Sequence, residues 1–316
     1  MRSCFRRVVL IAILQFVLEQ MHYTIHSKTE PKDMNFNVEI TVSLIEVTAT
    51  VTDEWGRTVH DLDKDDFIIF ENNVKQDIIH FQNARGLPKR VITLLDVSGS
   101  MRILNKIGAA KKAVQAFIDS LNRDDQICLI AFADGELEVI AEYSNNHRAI
   151  LDKMWGVPAY GQTALRDAIK EAPRLGKAHG FYQRALLLIT DGVDNASTVT
   201  IEEAIEAARK VDLPIYIIGI DPVGIRKTQN DKERQMAIEG MRTLAHETGG
   251  RFFHIGKTVE IYSGLDTLKK DMENQYLFTF QSNSTRVGAK HEIEVKTRKS
   301  RYKVRSRKGY FLDPSK

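Results

Sequence analysis

Between residues 37 and 81, apolar and polar positions alternate with a period of two, the pattern of strands that bury one face. By this pattern "VEITVSLIEVTATVTD" is one long strand, "DEWGR" a turn, and "DFIIFENNVKQDIIHF" two strands meeting at Asn72 and Asn73. Asparagine tolerates the positive φ that a tight hairpin needs. "NARGLPKR" then reads as a linker. From Val91 the pattern changes to short, nearly unbroken apolar runs ("VITLLD", "ICLIAF", "RALLLIT", "PIYIIGI", "RFFHI") separated by segments of helical period. These helices are "LNKIGAAKKAVQAFIDSLN", "HRAILDKM", "TALRDAIKEAPRLG", "TIEEAIEAARKV", "MAIEGMRTLAHETGG" and "TVEIYSGLDTLKKDMEN". Pro173 is expected to end or kink the third, Thr200 with Glu203 to cap the fourth, and Gly249-Gly250 to stop the fifth. Continuous apolar strands alternating with helices predict an α/β fold, a doubly wound, mostly parallel sheet covered on both faces. After it, "QYLFTFQS", "HEIEVKT", "YKVRS" and "GYFL" return to β. The flanking segments, residues 36–85 and 275–313, are therefore expected to pair into a small sheet or sandwich beside the α/β unit of residues 88–274.

Composition narrows the class. The chain has 316 residues, 43% hydrophobic and 28% charged, which is ample for a globular core. A net charge of +3 points to neither a nucleic acid nor an acidic substrate. At the N-terminus, Arg2, Arg6 and Arg7 precede an apolar run broken only by Gln15. This is the layout of an export signal, too short for a comfortable span, so residues 1–27 read as a signal peptide or an uncleaved anchor. Cys4 precedes the apolar run and Cys128 sits within "ICLIAF", so no disulfide framework is implied and Cys128 reads as a small buried hydrophobe.

The chemistry gathers where strands end. In a doubly wound sheet, ligands bind beyond the carboxyl ends of the strands. "VITLLDVSGSM" runs out into Asp96, Ser98 and Ser100, "GQTAL" places Thr163 before a helix, and "ITDGVDN" places Asp191 at another strand end. Two carboxylates and three hydroxyls would then face one another, an all-oxygen set suited to Mg²⁺, with Mn²⁺ or Ca²⁺ as further candidates. The nine histidines are scattered and no cysteine pair exists, which argues against zinc. Taken alone, Asp-x-Ser-x-Ser is also what any helix N-terminus selects, with Ser as cap and Asp beside the dipole. The three motifs in the right strand-helix order carry the functional reading.

"DVSGS", "GQTAL" and "TDG" together resemble the von Willebrand factor type A domain with its metal-ion-dependent adhesion site, over roughly residues 88–274. The family more often shows two glycines before the threonine, where this chain has Gly161-Gln162. "VTATVTDEWGRTVHDLDKDDFIIFENNVKQDI" before that unit, with "QYLFTF" and "VRSRKGYF" after it, is similar to an exported bacterial subfamily called VWFA-related. The resemblance implies that Ser98, Ser100 and Thr163 coordinate Mg²⁺, with Asp96 and Asp191 binding directly or through water. A partner protein's Glu or Asp would take the remaining position, in a secreted or periplasmic adhesion-type module that is not an enzyme. It also implies a loop rearrangement that can be coupled to the last helix.

Other classes lack parts. A phosphotransferase of the haloacid-dehalogenase type needs a second Asp where Ser98 stands, and without it the proton shuttle is missing. A serine hydrolase wants Gly-x-Ser-x-Gly and a convergent histidine, whereas His246 and His254 read as helix and strand residues. An intracellular partner of an AAA+ ATPase conflicts with the N-terminal segment. Asp194 and Asn195 read either as support for the site or as polar loop. Trp55 is expected to pack under the α/β unit. The basic run from Arg286 to Lys308 reads as the solvated face of strands, since stacking aromatics for nucleic acid are missing. Residues 221–235 form a polar loop near the same edge.

Overall fold

A computed structural model describes residues 43–175, 182–210, 213–220, 231–282, 284, 286 and 288–311. The N-terminal signal-like segment and residues 221–230 lie outside the described residues, while residues 231–235, expected as the rest of a loop, are helical and start the fifth helix before Met236. The chain begins with β1 (Ser43–Thr52), β2 (Phe67–Glu71), β3 (Val74–Gln76) and β4 (Ile78–Asn83). Asn72 and Asn73 sit at φ 48° and 65°, the left-handed pair that a two-residue hairpin demands. The return arm is not a single strand. It breaks at Asp77, with β3 pairing to β2 and β4 crossing into a second sheet beside the later strand β11 (Gln275–Ser282). Such sheet switching is how sandwich corners are made. The turn at Trp55 also departs from expectation. Asp53 Oδ1 accepts the amides of Trp55 and Arg57 at 3.0 and 2.9 Å, and the indole is held out, 72% exposed, beside the Arg57 guanidinium.

The α/β unit follows, with β5 (Lys89–Asp96), a 3₁₀ segment Gly99–Asn105, α1 (Lys106–Asp119), β6 (Gln126–Ala133) and β7 (Glu136–Ser144). Next come α2 (His147–Gly156), α3 (Leu165–Leu175), β8 (Gln183–Thr190), α4 (Ile201–Lys210), β9 (Ile215–Ile220), α5 (Asp231–Glu247), β10 (Phe252–Ile255) and α6 (Thr258–Glu273). The sheet order is β10-β9-β8-β5-β6-β7, parallel except for β7. Alternate side chains of each apolar strand feed opposite cores. Val91, Leu95, Leu129 and Leu187 face α1, α2 and α6, while Ile92, Leu94, Ile130 and Leu188 face α3, α4 and α5. Each such buried side chain contributes roughly 1.5–3 kcal/mol. This double covering is why the strands read as unbroken apolar runs. Cys128 lies in the second core, and burial pushes its thiol up to about 12.

Four local features differ from the periodicity reading. Strand β7 carries mixed polarity that masks its strand period; Asp134 (φ 52°) and Gly135 (φ 78°) make the two-residue turn that folds it back on β6. Helix α1 starts at Lys106 rather than Leu104, because Leu104 and Asn105 adopt φ 52° and 56°. Helix α3 continues to Leu175, two residues past Pro173. Helix α2 extends to Gly156. The Thr200–Glu203 cap is present in both directions, at 2.7 and 3.2 Å.

The chain closes with β11, β12 (Lys290–Thr297), β13 (Lys303–Ser306) and β14 (Gly309–Phe311). Two four-stranded antiparallel sheets result, β13-β1-β11-β4 and β14-β12-β2-β3. They enclose one core in which Phe67 packs 5.0 and 4.8 Å from the rings of Tyr276 and Phe278. Basic residues of this region are partly paired, Lys296 with Glu294 and Lys299 with Asp66. The sandwich docks on the α/β unit at the end of α5. Lys308 N–H donates to Glu247 O at 3.0 Å and Arg305 Nε to Gly249 O at 3.1 Å, satisfying carbonyls that a helix end leaves open. Buried Asp271, near the end of α6, accepts Arg251 Nε at 2.9 Å and also pairs with Arg305.

Gly249 is at φ +80°, and a Cβ there would lie 2.8 Å from the Arg307 nitrogen. Gly249→Ala is therefore expected to lower stability by about 1–3 kcal/mol. Thermal melts read this as a clear drop in Tm, and an unchanged Tm would show that the contact gives way.

Candidate functional site

Strand order reverses at β5, which lies between β6 and β8, so the crevice of the fold opens beyond the carboxyl ends of β5 and β8. Asp96 is the last residue of β5 and Asp191 follows the last residue of β8. Asp96 is fully buried. Its Oδ1 accepts Ser98 N–H at 2.9 Å and its Oδ2 accepts the Thr190 hydroxyl at 2.6 Å. Burial pushes the Asp96 carboxyl up to about 6; the hydrogen bonds from Ser98 and Thr190 oppose this and the charge of Asp191 adds to it.

The turn after β5 is stitched to the loop before α3. Tyr160 N–H donates to Val97 O at 2.7 Å, Gly99 N–H to Gly161 O at 2.9 Å, and Arg102 Nε to Ala159 O at 2.8 Å. A Cβ on Gly99 would lie 2.8 Å from Gly161 O, so the residue between the two serines has to be glycine for the strands of the turn to approach. Ser98 is fully buried, Ser100 is half-buried, and their hydroxyl oxygens stand 3.0 Å apart. Thr163 is 1% exposed. Its N–H donates to Asn195 Oδ1 at 2.8 Å, its carbonyl accepts the amides of Asn195 and Ala196, and its hydroxyl makes no hydrogen bond among the described residues. Asn195 thus supports Thr163. Asp194 instead anchors α3 through Arg166 and Ser197; despite burial, those hydrogen bonds hold its carboxyl below the usual range.

The Gly161-Gln162 step has a structural account. Gly161 takes φ +68°, and a Cβ there would collide with the Asp134 carboxylate. Gln162 needs no such freedom. Its side chain is exposed and its backbone is held by Asp134, which accepts Gln162 N–H at 2.5 Å and donates its own N–H to Gln162 O at 2.8 Å. The chain therefore meets Asp134 and Thr190 as supports that sequence reasoning passed over. Asp134 was findable, since it is another acid at the end of an apolar strand.

Lys106 is the second group passed over. Its ammonium is 2.6 Å from Asp191 Oδ2, while Asp191 Oδ1 accepts Val193 N–H at 3.1 Å. Nothing in the local sequence links a lysine ten residues past Asp96 to a loop on another strand.

The donor set is compatible with Mg²⁺. Cis ligands of an octahedron with bonds of about 2.1 Å lie about 3.0 Å apart, which is the spacing of the two serine oxygens. Thr163 offers a hydroxyl that has no partner among the described residues. Among the described residues no three His, Cys, Asp or Glu side chains cluster as a metal cage, so any ion here would rely on neutral hydroxyls.

Residues 91–193 match the family model described as the von Willebrand factor type A domain. The chain carries a von Willebrand factor type A domain. A structure of a von Willebrand factor type A protein from Catenulispora acidiphila aligns with TM-score 0.51 at 12% identity, covering 89% of this chain and 77% of that one, a likeness of fold. An aerotolerance-related membrane protein from Bacteroides fragilis aligns with TM-score 0.47 at 16% identity over 58% of this chain and 98% of that one. A curated protein from Borreliella burgdorferi described as uncharacterized is 28% identical over 156 residues, 46% of this chain and 43% of its own length. The chain thus spans less than half of that relative. Von Willebrand factor type A domains are typically protein-interaction modules and generally not enzymes, and they commonly bind a divalent metal. Among the described residues no helix is long and apolar enough to cross a membrane.

Since burial raises the folded pKa of Asp96 above its unfolded value near 4, its protonated form stabilises the fold fully below about pH 4. That contribution fades as pH rises through about 6. In metal-free buffer, Asp96→Asn is expected to gain stability over the wild type at pH 7.5, on the order of 2–3 kcal/mol, and to lose that gain by pH 4. Paired melts across this range check it; a difference that does not vary with pH would refute the assignment.

Proposed function

We propose that the chain is an exported, Mg²⁺-dependent protein-binding module of adhesion type. In this reading the domain of residues 88–274 captures an acidic side chain of a partner protein, and residues 36–85 and 275–313 form the platform that carries it. Ser98, Ser100 and Thr163 would ligate the ion through their hydroxyls, with Asp96 and Asp191 acting directly or through water. The observation that supports the reading is a buried carboxylate at the end of β5, followed by a turn whose two serine hydroxyl oxygens stand 3.0 Å apart and whose backbone is bonded to the segment that leads into Thr163.

The three hydroxyl ligands bring no charge of their own, so whatever charge the site's carboxylates leave on the ion attracts a carboxylate from outside. Mn²⁺ and Ca²⁺ are alternatives of the same donor preference. Export rests on the arginine-flanked apolar segment within residues 1–27. The missing second aspartate at Ser98 weighs against phosphoryl chemistry, as it removes the acid-base group such a reaction needs.

Calorimetric titration of Mg²⁺ into the full chain tests the site. The expected result is one metal-linked heat per chain, abolished by Asp96→Ala and weakened at least about tenfold by Thr163→Ala, with both variants folded by circular dichroism. A wild type that shows neither heat nor stabilisation by Mg²⁺, Mn²⁺ or Ca²⁺ refutes the reading. The partner is then sought by capture on the immobilised chain with Mg²⁺ and with EDTA, using Asp96→Ala as the control.

A further inference from the structure

The edge that would hold the ion carries one charge that the reading above does not use. Lys106 opens α1, is 7% exposed, and places its ammonium 2.6 Å from the carboxylate of Asp191, whose side chain is 2% exposed. Neither helix nor burial favours a lysine there. A cation at a helix N-terminus opposes the helix dipole, and taking an ammonium out of water is costly unless an anion faces it. The backbone before it is costly too, with Leu104 at φ 52° and Asn105 at φ 56°, both non-glycine residues in the left-handed region. On its other side Lys106 lines a cavity of about 160 Å³ together with Lys112, Lys257 and Ile255.

We propose that Lys106 is a built-in counter-cation for Asp191, which loosens the site's hold on Mg²⁺ and raises the charge that the bound ion shows to a partner carboxylate. The inference rests on the reading of the site as a Mg²⁺ site. Asp96 and Asp191 alone would neutralise a divalent ion completely. With Lys106 paired to Asp191, the three groups carry one net negative charge in place of two, and a bound divalent ion keeps one positive charge for the incoming carboxylate. Both Asp191 oxygens are already engaged, by Lys106 and by the Val193 amide, so an arriving ion has to compete for that carboxylate. Lys106 is thus a positioning residue; it acts on the ion through Asp191.

The test compares the full-length wild type with Lys106→Met, Lys106→Gln and Lys106→Arg. Calorimetry measures Mg²⁺ affinity and then glutarate uptake by the Mg²⁺-loaded protein, and melts are run with and without Mg²⁺. Lys106→Met is expected to bind Mg²⁺ roughly tenfold more tightly, to take up glutarate more weakly, and to show a lower metal-free Tm with a larger rise on adding Mg²⁺. Lys106→Gln, which keeps a hydrogen-bond donor toward Asp191, should move the same way by less, and Lys106→Arg should stay near the wild type. If Lys106→Met and Lys106→Gln bind Mg²⁺ no more tightly than the wild type, the counter-cation role is wrong while the metal site stands. If the wild type itself gives no response to Mg²⁺, the metal reading fails and this inference fails with it.

Discussion

The short backbone zipper between the turn after β5 and the loop before α3 is the constraint on which the candidate site depends. Tyr160 N–H to Val97 O and Gly99 N–H to Gly161 O bring two segments sixty residues apart into contact. Their approach leaves no room for a side chain on Gly99. Without this contact, Ser98 and Ser100 would be an ordinary polar helix start, and Thr163 would belong to a separate loop. The zipper brings the turn that carries Ser98 and Ser100 against the segment that leads into Thr163, and Asp134 extends it by fixing both backbone groups of Gln162. The replacement of a second glycine by Gln162 is accommodated because only Gly161 has a positive φ and a crowded Cα.

Charge is arranged around this frame with opposing tendencies. Asp96 is buried where a carboxylate prefers to be protonated, yet two hydrogen bonds favour its ionised form. Asp191 is held by a buried ammonium. The alternative local reading of Asp, Ser and Gly as a helix cap has no support at Ser98, whose side chain makes no capping hydrogen bond to the segment that follows.

The sandwich is tied to the α/β unit at the opposite end of the last helix. Helix α6 begins beside the cavity that Lys106 lines and carries Asp271 near its end, clamped by Arg251 and Arg305, before the chain enters β11. Tyr216 in the central sheet and Gln275 at the start of β11 share a hydrogen bond of 3.3 Å across the same junction. One continuous element thus spans from the candidate site to the sandwich, and its far end is anchored by ion pairs rather than by apolar packing alone.

Much of this was legible in the residues. The apolar runs of β5, β6, β8 and β9 specify strands covered on both faces, because each alternate residue enters a different core. Their order with the helices led to the doubly wound sheet, and its strand ends to Asp96, Ser98, Ser100, Thr163 and Asp191. Strand β7 was hidden because its outer edge position lets polar residues alternate irregularly. The break at Asp77 was hidden because a strand that changes sheets keeps its period. Trp55 was misplaced because an aromatic in a turn carries no periodicity, and the Asp53 hydrogen bonds that hold it outward are visible only in three dimensions. By itself the sequence determined the apolar strands and most helices of the α/β unit, with the acids at the ends of β5 and β8, since local propensity and periodicity are properties of neighbours along the chain. Only the tertiary structure decided that Lys106 faces Asp191, that Asp134 holds Gln162 and that Thr190 supports Asp96, because those pairings join side chains whose contact depends on how the strands are ordered in space.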